Sequence, residues 1–465
     1  MKKEILLVVF LLMSLLQLSA QYNTDGSYKK PLKQVLLDIE KRYHVSIKYP
    51  DSMVANKFVN YASWRYRNDI DQTLDNVLLP LDMKVNKEAV GKYKLKTYEY
   101  YRWNPAEGWA ELDRIAAQYN DQISWQKRKD SLAIELLAAL QLKKLPAVPT
   151  SKPIVTAVRK FDGYTVENIA LEILPGIYVN GSLYKPSIIK GKIPLILNPD
   201  GHWEKQRYRA DCQYRCAAFA KMGAMAFSYD LFAWGESQLQ FPLEDHRRSL
   251  SMTIQVLGSI RALDYLLSIP SVDTNRVGIT GGSGAGSHTV LMTAIDQRIK
   301  VSAPVVAISS YFYGGCPCES GMPIHDCGSR TDNVEIAAMA APRPQLLVSD
   351  GGDWTDKTPE HDFPYLQKIY GYYGQQALVS NTHLVNEKHD FGINKRTAVY
   401  QFMAKYLQLN ISAIQAANGS IDESKITIEK ETALYVFGDK GELLPKNAIK
   451  GFENLEKIFY RAINQ

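Results

Sequence analysis

The run Arg276-Val277-Gly278-Ile279-Thr280-Gly281-Gly282-Ser283-Gly284-Ala285-Gly286-Ser287-His288-Thr289 constrains the fold more than any other stretch of this chain. It opens on a short apolar run, Val277 to Ile279, and passes through very small residues with one serine at their centre. It leaves through Val290, Leu291, Met292 and Ala294, which read as helix. A strand that turns sharply into a helix brings its flanks so close that side chains at Gly281 and Ala285 would collide across the turn, and a glycine adopts positive φ cheaply. The pattern is G-x-S-x-A, with Gly286 following. Such a turn suits a serine held on its apex. It also suits a glycine-rich turn without chemistry, or one whose amides cradle a phosphate.

At 465 residues the chain is long enough for two or three domains. The net charge of +6 is not gathered into a basic run, which argues against a nucleic-acid footprint. Lys2 and Lys3 precede the apolar stretch Ile5 to Met13, and Leu18-Ser19-Ala20 offers a small-residue cleavage site. Residues 1–20 therefore read as a secretory signal peptide. The stretch is short for an uncleaved anchor, and no cysteine follows the site to take a lipid. No later segment is long and apolar enough to span a bilayer, so the expected product is a soluble periplasmic or secreted protein. Five cysteines in an oxidising compartment allow one or two disulfides and leave at least one thiol unpaired within the chain.

After the leader, Leu32, Val35, Leu36, Ile39 and Tyr43 repeat at helical spacing. A strand is expected over residues 45–49, a second helix through Ile70, Leu74, Val77, Leu78 and Leu81, and a strand pair at 83–85 and 93–95. This makes a small α/β module over residues 28–98. Residues 106–150 are helical in pattern and end in Pro146 and Pro149, which suggests a helical connector. From residue 154 to about 410 strands and helices alternate. Strands are expected at 194–198, 224–230, 303–308, 345–349 and 377–385, and helices at 213–221 and through Leu250 to Leu267. That rhythm implies an α/β fold with a mostly parallel sheet covered by helices. In the extension 411–465, residues 427–437 and 442–444 around Asp439-Lys440-Gly441 suggest a hairpin.

A serine nucleophile needs a base, and the base needs an acid to orient it. Where such a serine sits on a strand–turn–helix elbow, acid and base follow it in that order along the chain. The histidines downstream are His288, His325, His361, His383 and His389. His288 lies too close along the helix to reach back, and His383 falls inside a strand. His389 follows the last strand and precedes a helix, where the base is expected. The acid should follow the preceding strand, where Asp350 and Asp353 flank two glycines. Asp353, beyond the turn, is the expected acid. Asp350 is the alternative and also suits a turn role. Asp356 reads as a helix cap or surface group. For the oxyanion hole, one amide should come from Gly284 and the other from His202 or Trp203, in the loop Asn198 to Trp203 after an early strand.

Two resemblances add to this reading. Residues 28–98, through Pro31-Leu32-Lys33-Gln34-Val35-Leu36 and Asp71 to Leu78, resemble the secretin and TonB N-terminal domain, which implies an interaction module whose partner is unknown. Over residues 155–410, Gly201-His202-Trp203, Tyr229-Asp230, Gly235-Glu236-Ser237, Gly281 to Gly286, Gly314 to Glu319, Ala341-Pro342-Arg343-Pro344, Gly352-Asp353-Trp354-Thr355 and the His389 loop occur in order. This set resembles a bacterial α/β-hydrolase family related to acetyl xylan esterases and dienelactone hydrolases. Within it Ser283, Asp353 and His389 match the triad positions. Ala285 stands where glycine is commoner, and the His389 loop lacks a proline before the histidine.

The ordered triad and the resemblance imply a serine carboxylesterase that removes acetyl groups from a polysaccharide such as xylan, with no metal or organic cofactor, and the leader implies that it is exported. The alternatives are a serine peptidase on the same fold and a non-catalytic envelope protein that binds or signals. Cys316-Pro317-Cys318 with His325 and Cys327 reads as a disulfide or thiol loop more readily than as zinc ligands, since C-x-C is not the usual zinc spacing. Cys212 and Cys216 lie four apart on one helix face and are expected in the core.

Overall fold

The computed structural model describes residues 29–59, 62–78, 81, 83–97, 104–311, 316 and 330–464. The chain divides into two compact units, one within residues 1–99 and one within 100–465. The expected signal peptide lies outside the described residues.

In the first unit, the helix Leu32–Tyr43 buries Leu32, Val35, Leu36 and Ile39, and the helix Ile70–Leu78 buries Leu74, Val77 and Leu78. Both stripes follow the 3.6-residue period that the sequence carries. Two short strands, β1 (Lys30–Pro31) and β3 (Phe58–Val59), pair with each other. The hairpin β4 (Met83–Ala89) and β5 (Lys92–Thr97) is joined by β2 (Ser46–Lys48), which runs parallel to β5.

The second unit is built on one sheet. In chain order its strands are β6 (Ile154–Val155), β7 (Arg159–Lys160), β8 (Tyr164–Leu174), β9 (Ile177–Pro186), β10 (Ile193–Pro199), β11 (Met225–Tyr229), β12 (Val272–Gly282), β13 (Val301–Val305), β14 (Gln345–Asp350) and β15 (Val379–Leu384). Their spatial order is β15-β14-β13-β12-β10-β11-β9-β8-β6, with β7 also on β8. The six strands from β15 to β11 are parallel, and β9 and β8 continue the sheet antiparallel. A parallel sheet crossed by helices, with β10 and β11 exchanged relative to chain order, is the α/β-hydrolase fold. All seven residues of β10 are buried, as befits a central strand covered on both faces. The strand expected at 303–308 begins earlier and stops at Val305, because Val306 takes a φ of 43° and turns the chain out of the sheet.

Two expectations are corrected here. Residues 106–150 are not a detached connector. Helices Pro105–Ala116 and Gln122–Ala139 belong to the second unit and bury Leu112, Ile115, Trp125, Leu132 and Leu136 in its main core. Arg128 makes two 2.7 Å hydrogen bonds to the fully buried carboxylate of Glu335, and Lys129 donates to the Ala341 carbonyl at 2.6 Å.

The hairpin expected around Asp439 does not form either. The chain does turn there, with positive φ at Gly438 and Gly441. The amides of Val436 and Phe437, however, donate to the buried carboxylate of Glu236 at 2.8 Å instead of to a partner strand. Arg207, itself buried, bonds Asp230 at 2.9 Å and the Leu434 carbonyl at 2.9 Å. The tail ends in the helix Phe452–Ile463, which sets Phe452, Leu455 and Phe459 into the main core. Among the described residues no helix is long and apolar enough to cross a membrane.

Candidate active site

Strand β12 delivers Ser283 to the end of the sheet, and the helix Gly284–Ile295 starts directly after it. Ser283 is held at φ 57°, ψ −129°, a conformation that costs an L-residue on the order of 1–3 kcal/mol. The backbone around it explains the small residues. A Cβ on Gly281 would stand 2.7 Å from the Ala285 Cβ, so the strand and the helix could not approach as they do. The Ser283 amide donates to the Val305 carbonyl at 3.0 Å, and the Ser283 carbonyl accepts from Gly286 and Ser287. The turn is thereby fixed from both sides.

The three residues expected to act together are in one line. Ser283 Oγ lies 2.9 Å from His389 Nε2, and His389 Nδ1 lies 2.6 Å from Asp353 Oδ2. His389 sits in the loop after β15 and Asp353 in the loop after β14. Burial alone would raise the Asp353 carboxyl, but hydrogen bonds from His389 and from the Thr355 hydroxyl and amide outweigh it and hold it below the ordinary carboxylate range. Its remaining oxygen is taken by those two Thr355 bonds, both 2.6 Å, so the carboxylate faces the imidazole in a single orientation.

Asp350, the alternative acid, has a different neighbour. Its fully buried side chain lies 2.9 Å from the fully buried Lys395 Nζ and accepts from the Gly352 amide. Lys395 also reaches Asp390 at 2.9 Å and the Lys388 carbonyl. One buried ammonium therefore ties the acid loop to the base loop on either side of His389. Asp356, read as a helix cap or surface group, caps no helix; it is half-buried and its carboxylate accepts from the Tyr311 hydroxyl.

The other histidines are elsewhere. His288 is buried on the helix after the serine, bonded to Ser259 at 2.7 Å, and burial pushes its pKa down to about 3. His383, in β15, bonds Ser349, and His361 stacks on Trp109. His325 lies outside the described residues, as do Cys318 and Cys327. Cys212 and Cys216 are buried in the core as expected.

The loop after β10 borders the serine. Gly201 packs so closely on the Gly282 carbonyl that a Cβ would stand 2.5 Å from it, and the His202 ring lies against Gly284. Trp203 and Trp354 flank His389, with ring centroids 5.5 and 4.4 Å from its own. Arg209, bonded to Asp200 at 2.9 and 3.0 Å, lies 4.6 Å from the centre of the Trp203 ring and braces it. Two neighbours were not anticipated. His246 Nε2 is 2.8 Å from His202 Nε2, and Cys316 Sγ is 3.6 Å from the same atom. His246 precedes the serine, so a search directed downstream passes over it.

Serine, imidazole and carboxylate in a hydrogen-bonded line, on an elbow beside a loop of approaching backbone, can deliver an activated hydroxyl to a carbonyl carbon.

No protein-family model and no curated protein matches this chain. Among solved structures, the chain is similar to one described as "Methylesterase BT1017", with 47% identity over 96% of this chain and 100% of that one and a TM-score of 0.74. Lower similarities are to a glucuronoyl esterase from Solibacter usitatus (19% identity, 62% and 94% of the two chains, TM-score 0.45) and an acetyl xylan esterase from Paenibacillus sp. R4 (16%, 60% and 94%, 0.42).

Proposed function

The chain belongs to the family of Methylesterase BT1017, and from that premise we propose that it is a serine esterase that cleaves methyl esters of a carbohydrate acid. The observation that carries the reading is the line from Ser283 Oγ through His389 to Asp353. In this mechanism His389 Nε2 takes the proton as Ser283 Oγ bonds to the ester carbonyl carbon. The oxyanion forms against the amides of Gly284 and of His202 or Trp203. The imidazolium, stabilised by Asp353, then protonates the departing methoxide, and methanol leaves. Water, activated by the same imidazole, releases the carbohydrate carboxylate and restores the serine.

A methyl ester reverses the substrate geometry of the acetyl esterase expected from sequence. The sugar is now on the acyl side and the leaving group is one carbon. The tryptophans beside His389 offer flat apolar faces of the kind that sugar rings stack on. Export belongs to the proposal as well, resting on the pattern of residues 1–20.

The test is to present methyl-esterified uronic oligosaccharides, acetylated xylo-oligosaccharides and aminoacyl amides side by side, measuring methanol, acetate and amine. Methanol release supports the proposal. Acetate alone returns the reading to an acetyl esterase, and amine release to a peptidase. No product, together with no labelling by a fluorophosphonate, would mean a non-catalytic protein.

A further inference from the structure

We propose that His202, His246 and Cys316 form a binding site for one divalent transition-metal ion of the zinc class, beside the serine and independent of whether the serine is catalytic. Three separate segments supply these residues: the loop after β10, the turn Leu243–Arg247, and the chain beyond β13. Their donor atoms lie within 4.8 Å of one another.

The orientation of His246 is the first argument. The residue is 3% exposed, and its Nδ1 is 2.6 Å from the Phe232 carbonyl oxygen. A carbonyl only accepts, so Nδ1 carries the proton, which leaves Nε2 as the ring atom that would ligate an ion. A ring fixed through one nitrogen on a backbone carbonyl, with the other turned toward further donor atoms, is how metal-binding imidazoles are oriented. That second nitrogen faces His202 Nε2 at 2.8 Å.

The second argument is spacing. Zinc bonds of about 2.05 Å to nitrogen and about 2.3 Å to sulfur, at tetrahedral angles, put two nitrogens about 3.3 Å apart and nitrogen and sulfur about 3.6 Å apart. The observed separation of Cys316 Sγ from His202 Nε2 is 3.6 Å. The pair of nitrogens has to open by about half an ångström, which a small rotation of the part-exposed His202 ring supplies. Two imidazoles and a thiolate suit zinc, and discriminate against magnesium and calcium, which prefer oxygen. Trp234 packs on both rings, at 5.2 and 6.0 Å, and adds an apolar wall.

Three protein ligands leave a fourth position for water or a substrate atom. The His202 Nδ1 and Nε2 atoms lie 2.7 and 3.0 Å from where a Cβ on Gly284 would stand. The ion would therefore sit next to the residue that follows Ser283, within reach of a carboxylate bound at the site.

The experiment uses the full chain, stripped with a chelator and titrated with cobalt(II), then with zinc in competition with a chromophoric chelator. Binding of one cobalt per chain is expected, with d–d bands of tetrahedral intensity and a near-ultraviolet sulfur-to-cobalt charge-transfer band. Cys316→Ser should lose the charge-transfer band. His246→Gln should weaken binding by more than the about 10–100-fold that a lost outer partner costs. Ser283→Ala should bind cobalt as the parent does, which separates this result from the esterase reading. Failure of the unmodified protein to bind cobalt or zinc stoichiometrically overturns the proposal. So does an undiminished charge-transfer band in Cys316→Ser, with circular dichroism showing that variant folded.

Discussion

Asp350 and Asp353 are separated by two glycines, and replacing each with asparagine should produce opposite defects. In Asp353→Asn, one side-chain oxygen can still accept from Thr355, so the loop stays in place. The atom facing His389 Nδ1 becomes an amide donor. The imidazole must then present a lone pair at Nδ1 and carry its proton on Nε2, where it points at Ser283 Oγ and cannot accept from it. Turnover should fall by about 10⁴, equivalent to about 5–6 kcal/mol of barrier, with stability changed by less than about 1 kcal/mol. Asp350→Asn instead removes the buried partner of Lys395. Breaking a buried pair costs roughly 3–5 kcal/mol. Lys395 keeps Asp390 at 2.9 Å and Glu387 at 3.5 Å, so the lower end, about 3 kcal/mol, is expected. A turn aspartate of the kind read from sequence would cost nearer 1 kcal/mol. Turnover of the folded Asp350→Asn protein should stay within about tenfold of the parent, since the triad line does not pass through it. The assays are methyl-ester turnover and urea unfolding on both variants. An Asp353→Asn enzyme of near-normal turnover, or a stable but inactive Asp350→Asn, would refute this assignment of the two carboxylates.

Other expectations follow from the same geometry. Ser283→Ala should abolish fluorophosphonate labelling and lower turnover by about 10⁶, while Ser283→Gly, which tolerates φ 57°, should be more stable than Ser283→Ala by about 1 kcal/mol or more in thermal unfolding. His288 has a folded pKa of about 3 against about 6.5 in the unfolded chain, so between those values the unfolded state binds a proton that the folded state does not. Its contribution to stability is therefore lost as pH falls below 6.5, at about 1.4 kcal/mol per unit, and His288→Gln should flatten the urea midpoint between pH 6 and pH 4; an unchanged slope would contradict this. A chain ending at Leu409 loses the burial of Phe452, Leu455 and Phe459, worth about 1.5–3 kcal/mol each, and should fail to give a cooperative unfolding transition.

The site was legible where backbone crowding dictates residue type. Gly281 and Ala285 are small because a Cβ on Gly281 would stand 2.7 Å from that of Ala285, and that crowding leaves a trace in the sequence itself. Asp353 and His389 were legible by their order relative to strands β14 and β15, since loops at one end of a parallel sheet converge. Lys395 was not, because a lysine on a helix reads as a surface residue unless its buried partners are known. His246 and Cys316 come from loops far apart in sequence, and no local pattern announces that they meet His202. Residues 427–444 carry strand-like composition, yet the amides of Val436 and Phe437 are claimed by Glu236, a side chain about two hundred residues earlier, and no strand forms there. Helices 105–116 and 122–139 have the right period, but period does not tell which unit a helix packs on.

Residues 449–452 fasten onto the turn between β8 and β9 in the second unit. Ile449 donates its amide to Gly176, between β8 and β9, at 2.8 Å, and Gln240 bonds both Gly176 and Ile449. Phe452, which caps this junction, carries Arg248 3.9 Å above its ring. Strands β8 and β9 leave the ribosome nearly three hundred residues before the helix that closes over them. The contact at this junction therefore forms only after Ile449 has been made, however early the β8–β9 hairpin pairs.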